Sequence, residues 1–421
     1  GGNGNDWLVT ELSGHVTEEF QFNFTVQQTG GRGNDNLYVS ATSTTNTGYS
    51  TGGFIIDLSG GAGDDNIWIE VDGEAGASSN LVDAGSGSDV VYIYADGDYF
   101  GGGGSNEVLA GAGDDEVTVR SYSSFIVAGD NTLWGGDGND RLEATLIGTY
   151  GANELYGEDG DDFLIADGFV SDNGGSSISN RVWGGTGNDT IELNATSYGT
   201  GADASNEAYG DEGDDRITSV THVGSGSDTY FGSADTLLYG GSGNDVLTAT
   251  TTYNFGEGEN IEGGATLYGG NGNDSLRVYG GVENILNGGA GDDTLTGGSG
   301  NDRIIGGSGA DQLRGAGGDD AFVYLWMTGG AVATRDTIFG FQAFGDDVID
   351  LSAIDANANR GGNQAFVFGG TGVGRVWVED STTGSGSIVR ANNGGPETLY
   401  IAVEDGTGRD ASDWTADDFL L

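Results

Sequence analysis

Residues 288–320 read GGAGDDTLT-GGSGNDRII-GGSGADQLR-GAGGDD, three copies of a nine-residue unit and a weaker fourth. The first six residues and an apolar eighth recur upstream as GGNGNDWL from Gly1, GGRGNDNL from Gly30, GGAGDDNI from Gly60, AGSGSDVV from Ala84 and AGAGDDEV from Ala110. They continue as GGDGNDRL from Gly135, GEDGDDFL from Gly157, GGTGNDTI from Gly184, GDEGDDRI from Gly210, GGSGNDVL from Gly240 and GGNGNDSL from Gly269. Such self-similarity is the mark of stacked supersecondary units. The glycines permit φ > 0 and close backbone approach, so six residues can turn sharply with their carbonyls inward. The sixth residue is aspartate in every copy, which gives one carboxylate per turn. Stacked turns place successive carboxylates about one strand spacing apart, ~4.8 Å. They repel at that distance unless a cation lies between each pair.

After each turn the residues alternate. Two positions past the aspartate stand Leu8, Leu37, Ile67, Val91, Val117, Leu142, Leu164, Ile191, Ile217, Leu247 and Leu276. Four positions past it stand Val39, Ile69, Ile93, Val119, Leu193 and Val278. A period of two with apolar residues on one side describes a half-buried strand. A single coil cannot bury that face, so stacking supplies the core. The fold class expected is therefore all-β: a right-handed parallel β-roll or β-helix solenoid with long per-coil insertions, closed by an antiparallel C-terminal cap.

Turn starts lie 22 to 30 residues apart from Gly30 to Gly269 and nine apart from Gly288 to Gly315. In the nine-residue array successive turns should fall on opposite edges, so that one coil takes eighteen residues. In the longer region one metal-type turn serves each coil, and an insertion replaces the other. GGVENILN from Gly280 reads as a degenerate opposite turn at the changeover. Asn80, Asn106, Asn131, Asn153, Asn180, Asn206 and Asn284 each precede a turn start by four residues, which predicts an asparagine ladder across stacked coils. Three regions follow: residues 1–287 with one calcium-type turn per coil, 288–323 as a nonapeptide roll, and 324–421 as cap and export region.

The bulk numbers agree. The 421 residues include 85 Gly, one Pro and no Cys, and 66 Asp+Glu against 13 Lys+Arg give a formal charge of −53. A compact fold so charged repels itself unless the carboxylates are neutralised. Nucleic acid and anionic membranes are excluded as partners, and oxygen donors favour Ca²⁺ over soft metals. No apolar run approaches the ~20 residues of a membrane span. The opening GGNGND lies inside a repeat and shows no signal peptide. The ligands expected are the sixth-position carboxylates: Asp6, Asp35, Asp65, Asp89, Asp115, Asp140, Asp162, Asp189, Asp215, Asp245, Asp274, Asp293, Asp302, Asp311 and Asp320.

These repeats resemble the RTX family of calcium-binding nonapeptide proteins. The resemblance implies that several Ca²⁺ ions lie between adjacent turns and that backbone carbonyls complete each site. Those carbonyls belong to Gly30, Gly31, Gly33, Gly61, Gly63, Gly136, Gly138, Gly185, Gly187, Gly241, Gly243, Gly270, Gly272, Gly289, Gly291, Gly298, Gly300, Gly307 and Gly309. Past the repeats, Asp336, Ile338 and Phe341 followed by Gly345, Asp347, Ile349, Asp350 and Leu351 are similar to the C-terminal cap of serralysin-type members. The ending DWTADDFLL looks like that of type I secretion substrates, which implies the type I machinery as a partner and a secreted or cell-surface location in a bacterium.

No catalytic centre is expected. The two histidines, His15 and His222, are distant, and no HExxH zinc helix is present. The one G-x-S-x-G match, Gly48 to Gly52, lacks the strand–turn–helix of a nucleophile elbow. Paired carboxylates such as Asp64–Asp65 and Asp161–Asp162 sit in the repeat, where a metal role outweighs glycosidase chemistry. Loops rich in Tyr, Thr and Ser place Tyr122, Tyr150 and Tyr198 in a strip suited to extracellular polysaccharide or self-association. The function expected is a non-enzymatic structural or adhesive calcium-binding protein of a surface array or filament. The alternative is the calcium-folding secretion module of a larger protease, lipase or alginate epimerase.

Overall fold

The structure, a computed structural model, describes residues 1–16, 23–45, 53–73, 78–97, 104–123, 129–170, 176–198, 201, 203–224, 232–254, 263–281, 283–327, 335–341, 346–382, 386–395, 398–404 and 410–421. The Gly48–Gly52 segment, Gly345 and parts of the loops at 121–130, 196–205 and 251–260 lie outside these residues. The chain is an all-β parallel solenoid with a few antiparallel strands near its C-terminus. Only two 3₁₀ turns, Ala411–Asp413 and Ala416–Asp418, stand among the described strands as helical elements. Among the described residues no helix is long and apolar enough to cross a membrane. Two compact units are present: Gly1–Thr236 with Thr252–Glu262, and Leu237–Thr251 with Gly263–Leu421.

In the first unit each coil gives one strand to each of two parallel sheets. One sheet runs through strands such as Ser105–Ala112, Asn131–Asp137, Tyr150–Asp159 and Ser177–Thr186. The other runs through strands such as Asn36–Thr45, Asn66–Gly73, Val90–Gly97 and Glu116–Ser123. Register is residue for residue: Val39 lies opposite Ile69, Ile69 opposite Ile93 and Ile93 opposite Val119. These side chains are fully buried and form a column with Leu37, Ile67, Val91 and Val117 beside them. A slip of one residue would turn the whole column outward, which fixes the register.

The turns explain the glycines. Gly31 has φ +119°, and a β-carbon there would collide with the carbonyl oxygen of Gly2 in the preceding coil. Stacked turns therefore need both the left-handed backbone and the missing side chain at this position. Three turns depart from this rule, with Glu158 (φ 77°), Asp211 (φ 72°) and Ala316 (φ 86°), each carrying about 1–2 kcal/mol of steric cost.

In the second unit the coils shorten to eighteen residues within the nine-residue array. Ile285–Ala290 pairs with Arg303–Ser308 in one sheet, and Thr294–Thr296 pairs with Gln312–Arg314 in the other. Asp336–Phe339 continues the second sheet and pairs in parallel with Thr398–Glu404. Thr398–Glu404 in turn holds Ser387–Asn392 and then Arg375–Asp380 as antiparallel strands. The ending folds onto this region: Trp414 donates from Nε1 to Ser387 Oγ at 3.1 Å and stacks on Phe341 at 5.0 Å. Phe419–Leu420 is a final strand beside Val348–Asp350.

Candidate metal centre

The sixth-position aspartates form columns. The backbone N–H of Asp35 donates to Asp65 Oδ1 at 2.7 Å, Asp65 to Asp89 at 2.7 Å and Asp89 to Asp115 at 2.7 Å. The chain of bonds continues from Asp115 to Asp140, Asp162, Asp189 and Asp215. Asp6 joins at the other end by donating to Asp35 Oδ1 at 2.6 Å. In the second unit one column links Asp245, Asp274, Asp293, Asp311 and Asp336. A separate column links Asn284, Asp302, Asp320 and Asp347. Every aspartate expected from the repeat thus stands in a column, and the nine-residue turns do alternate between edges.

One carboxylate oxygen per turn is consumed by this ladder. The other is not. Oδ2 of Asp35, Asp65, Asp89, Asp115, Asp140, Asp162, Asp189, Asp274 and Asp293 is buried and has no hydrogen-bond partner. Elsewhere the same atom folds back on its own turn, as in Gly2 N–H to Asp6 Oδ2 at 2.8 Å and Gly298 N–H to Asp302 Oδ2 at 2.6 Å. A buried acceptor left unmade costs about 1–3 kcal/mol, more when charged, so a periodic row of them points to a missing positive partner.

The row is lined by carbonyls. The space that a β-carbon would fill at Gly30 is bounded by Asp35 Oδ2 and the Gly60 carbonyl oxygen. The same pair of atoms recurs at Gly157 (Asp162 Oδ2 and Gly184 O), Gly269 (Asp274 Oδ2 and Gly288 O) and Gly288 (Asp293 Oδ2 and Gly306 O). First-position carbonyls therefore converge on the carboxylates. Among the described residues no three His, Cys, Asp or Glu side chains converge as a metal cluster. A cation here must take most of its ligands from backbone carbonyls, a donor set of hard oxygens that fits Ca²⁺.

Burial raises the carboxyl pKa values along the columns, and neighbouring carboxylates add to it. Asp115, Asp189, Asp293 and Asp320 are pushed up to about 7. Asp89, Asp140, Asp162, Asp215 and Asp302 are pushed up to about 6. The metal-free columns therefore oppose ionisation of these groups.

The opposite edge of the first unit carries the predicted asparagine ladder. Asn80 Nδ2 donates to Asn106 Oδ1 at 2.6 Å, and the chain continues through Asn131, Asn153, Asn180 and Asn206 at 2.8–2.9 Å. Asn284 departs from the expectation, because its Nδ2 donates to Asp302 Oδ1 at 2.7 Å and not to another asparagine. It occupies the aspartate position of the degenerate turn.

Three features escaped the sequence reading. The fifth turn residue builds a second, exposed ladder, in which Asp64 N–H donates to Asn34 Oδ1 and Ser88 N–H to Asp64 Oδ1, both at 3.1 Å. Asp336 and Asp347, known only from the cap motif, extend the two columns of the second unit. Their signal was the apolar residue two positions on, Ile338 and Ile349, as in every repeat. Finally, Tyr122, Tyr150 and Tyr198 do not share one sheet: Tyr150 begins Tyr150–Asp159, paired with Asn131–Asp137, whereas Tyr122 and Tyr198 belong to strands of the opposite sheet. His222 is occupied by Thr252 Oγ1 at 2.7 Å and by Tyr198 at 5.1 Å, away from the columns.

A parallel solenoid whose turns stack buried carboxylates against backbone carbonyls is a divalent-cation-binding repeat protein. The family model of the RTX calcium-binding nonapeptide repeat (4 copies) matches residues 100–118, 128–144, 145–169, 174–195, 222–251, 261–286 and 287–322, so these stretches are RTX calcium-binding repeats. Solved structures similar to it include the R2 subunit of the mannuronan C5-epimerase AlgE6 from Azotobacter vinelandii, 24% identical over 35% of this chain and 88% of that one, with a TM-score of 0.26. The R3 subunit of the same enzyme is 23% identical over 44% of this chain and 77% of that one, with a TM-score of 0.19. The fold assignment rests on the ladders above and not on these likenesses. No curated protein matches the chain.

Proposed function

We propose that the chain is a secreted, non-enzymatic protein that folds outside the cell on binding several Ca²⁺ ions and serves a structural or adhesive role in a surface array or filament. The row of buried Oδ2 atoms without partners carries this reading. The sixth-position aspartates would hold the ions between adjacent turns, with first-position carbonyls facing them. The cation supplies the positive charge that the columns lack. Sites built from few fixed charges have affinities of about 10⁻⁴–10⁻³ M, as in extracellular modules. Low cytosolic calcium then leaves the chain unfolded and fit for type I export, and external calcium drives folding by mass action.

Non-enzymatic character is supported by the fate of the paired carboxylates. Asp65 is buried with Oδ1 bound by Asp35 N–H, while Asp64 is spent on the exposed ladder. Neither is placed to serve a substrate. Circular dichroism of the chain at pH 7.5, first calcium-free and then in millimolar calcium, tests the proposal. Strong β signal before calcium is added would defeat it.

A further inference from the structure

We propose that the first unit binds a neutral hexopyranose polymer in a cleft formed by Trp7, Tyr38 and Trp68 over Asn36 and Asn66. The cleft arises from register. Trp7 lies opposite Asn36, and Asn36 lies opposite Asn66, so two short side chains follow a long one along the same outward column. The next outward column carries Tyr38 and Trp68 in adjacent coils. The result is a cavity of about 470 Å³ walled by the three aromatics and floored by the two asparagines. That volume lies within the ~300–1,000 Å³ of ligand pockets.

The lining is chemically specific. Trp7 is 75% exposed and Trp68 is 45% exposed, unusual for side chains of such apolar area. Trp68 is held in place by stacking on Tyr92 at 4.2 Å, so the wall is preformed. Tyr38 is likewise tied, its hydroxyl donating to Glu70 at 3.4 Å. The side-chain amides of Asn36 and Asn66 line the cleft, and each carries donors and an acceptor that a ligand can use. Apolar ring faces beside paired amides match a pyranose, which has a C–H face and hydroxyl edges.

Charge selects within that class. A chain of net charge −53 repels polyuronates and sulfated glycans, which leaves uncharged polymers. The parallel rings of Trp134, Tyr156, Trp183 and Tyr209 do not compete for this role. They stack face to face at 4.6–5.8 Å with planes within 8°, so both faces of Tyr156 and Trp183 are covered and no gap opens between successive rings.

This inference is independent of the calcium reading except that the chain must be folded. The test is affinity gel electrophoresis of the full chain in calcium, through gels containing a soluble β-glucan, a galactomannan, a glucomannan or hyaluronan. Retardation by at least one neutral polymer is expected, with none by hyaluronan. Trp7→Ala and Trp68→Ala should each weaken it at least fivefold, and Trp134→Ala should not, all with unchanged far-ultraviolet spectra. Failure of all three neutral polymers to retard the wild type, or retardation that both Trp7→Ala and Trp68→Ala leave intact, would overturn the proposal.

Discussion

Removing calcium should make folding depend on acid. In the first unit, Asp89, Asp140, Asp162 and Asp215 rise to about 6, and Asp115 and Asp189 to about 7. At 1.36 kcal/mol per unit, a rise from 3.8 to 6 is worth about 3 kcal/mol and a rise to 7 about 4 kcal/mol. Neighbouring carboxylates raise one another, so the six do not add in full, but any two already amount to about 6 kcal/mol, comparable to the ~5–15 kcal/mol total stability of a typical domain. Because each pKa is higher in the folded state than in the unfolded chain, the native state binds more protons. The associated stability is complete below about pH 4 and is lost as pH rises through 6 and then 7. Between pH 7.5 and 5 a group at about 6 should restore about 1 kcal/mol and a group at about 7 about 2.5 kcal/mol to the metal-free fold. The assay is far-ultraviolet circular dichroism with tryptophan fluorescence on calcium-free protein, titrated from pH 7.5 to 5. A steep gain of β structure centred near pH 6 is expected, and saturating calcium should abolish the transition by folding the chain throughout. A calcium-free chain whose β content stays constant across that range, or falls on acidification, would refute the reasoning.

Asp162→Asn keeps the oxygen that accepts Asp140 N–H and removes the charge of the free one. It should favour the calcium-free fold at pH 7.5 by about 3 kcal/mol yet weaken the calcium-bound state by about 1.5–3 kcal/mol, two opposite shifts readable in one pair of denaturant titrations. Asn153→Leu interrupts the asparagine ladder, stripping partners from Asn131 Nδ2 and Asn180 Oδ1. At about 1–3 kcal/mol for each orphaned group, thermal unfolding in calcium should show a loss of about 2–6 kcal/mol. Glu158→Gly relieves a left-handed backbone and removes a charge that raises the pKa of Asp140. It should stabilise the calcium-bound protein by about 1 kcal/mol, seen as a higher unfolding midpoint in urea.

What the sequence disclosed and what it hid have a common cause. Sixth-position aspartates and eighth-position aliphatics were legible because both obey the repeat, and stacking converts a repeat directly into a column. The degenerate turn at Gly280 was legible too, but Asn284 was read as a rung of the asparagine ladder and instead stands beside Asp302. The exposed ladder of Asn34, Asp64 and Ser88 was hidden because Asn, Asp and Ser at a turn have a sufficient local explanation. Tyr150 was misplaced for a different reason. The segment around it reads as a loop, but only Gly148 and Thr149 separate Arg141–Ile147 from Tyr150–Asp159, so the chain crosses to the other sheet before the tyrosine. Insertion length sets where an aromatic emerges, and composition does not reveal it.

The two edges of the first unit show why one residue type needs calcium and the other does not. Both present a buried polar side chain once per coil, stacked in register on its neighbours. An asparagine carries a donor and an acceptor, so Asn106, Asn131 and Asn153 bond head to tail and the column closes on itself. An ionised aspartate carries only acceptors. Its Oδ1 borrows a backbone N–H from the adjacent coil, and its Oδ2 has nothing left to accept from. Asparagine at the sixth position would therefore give a solenoid that folds without metal, and the chain uses that solution on one edge only. In the nine-residue array Asp302 and Asp320 occupy the second edge as well, so there both edges carry carboxylates and neither column can close through its side chains alone.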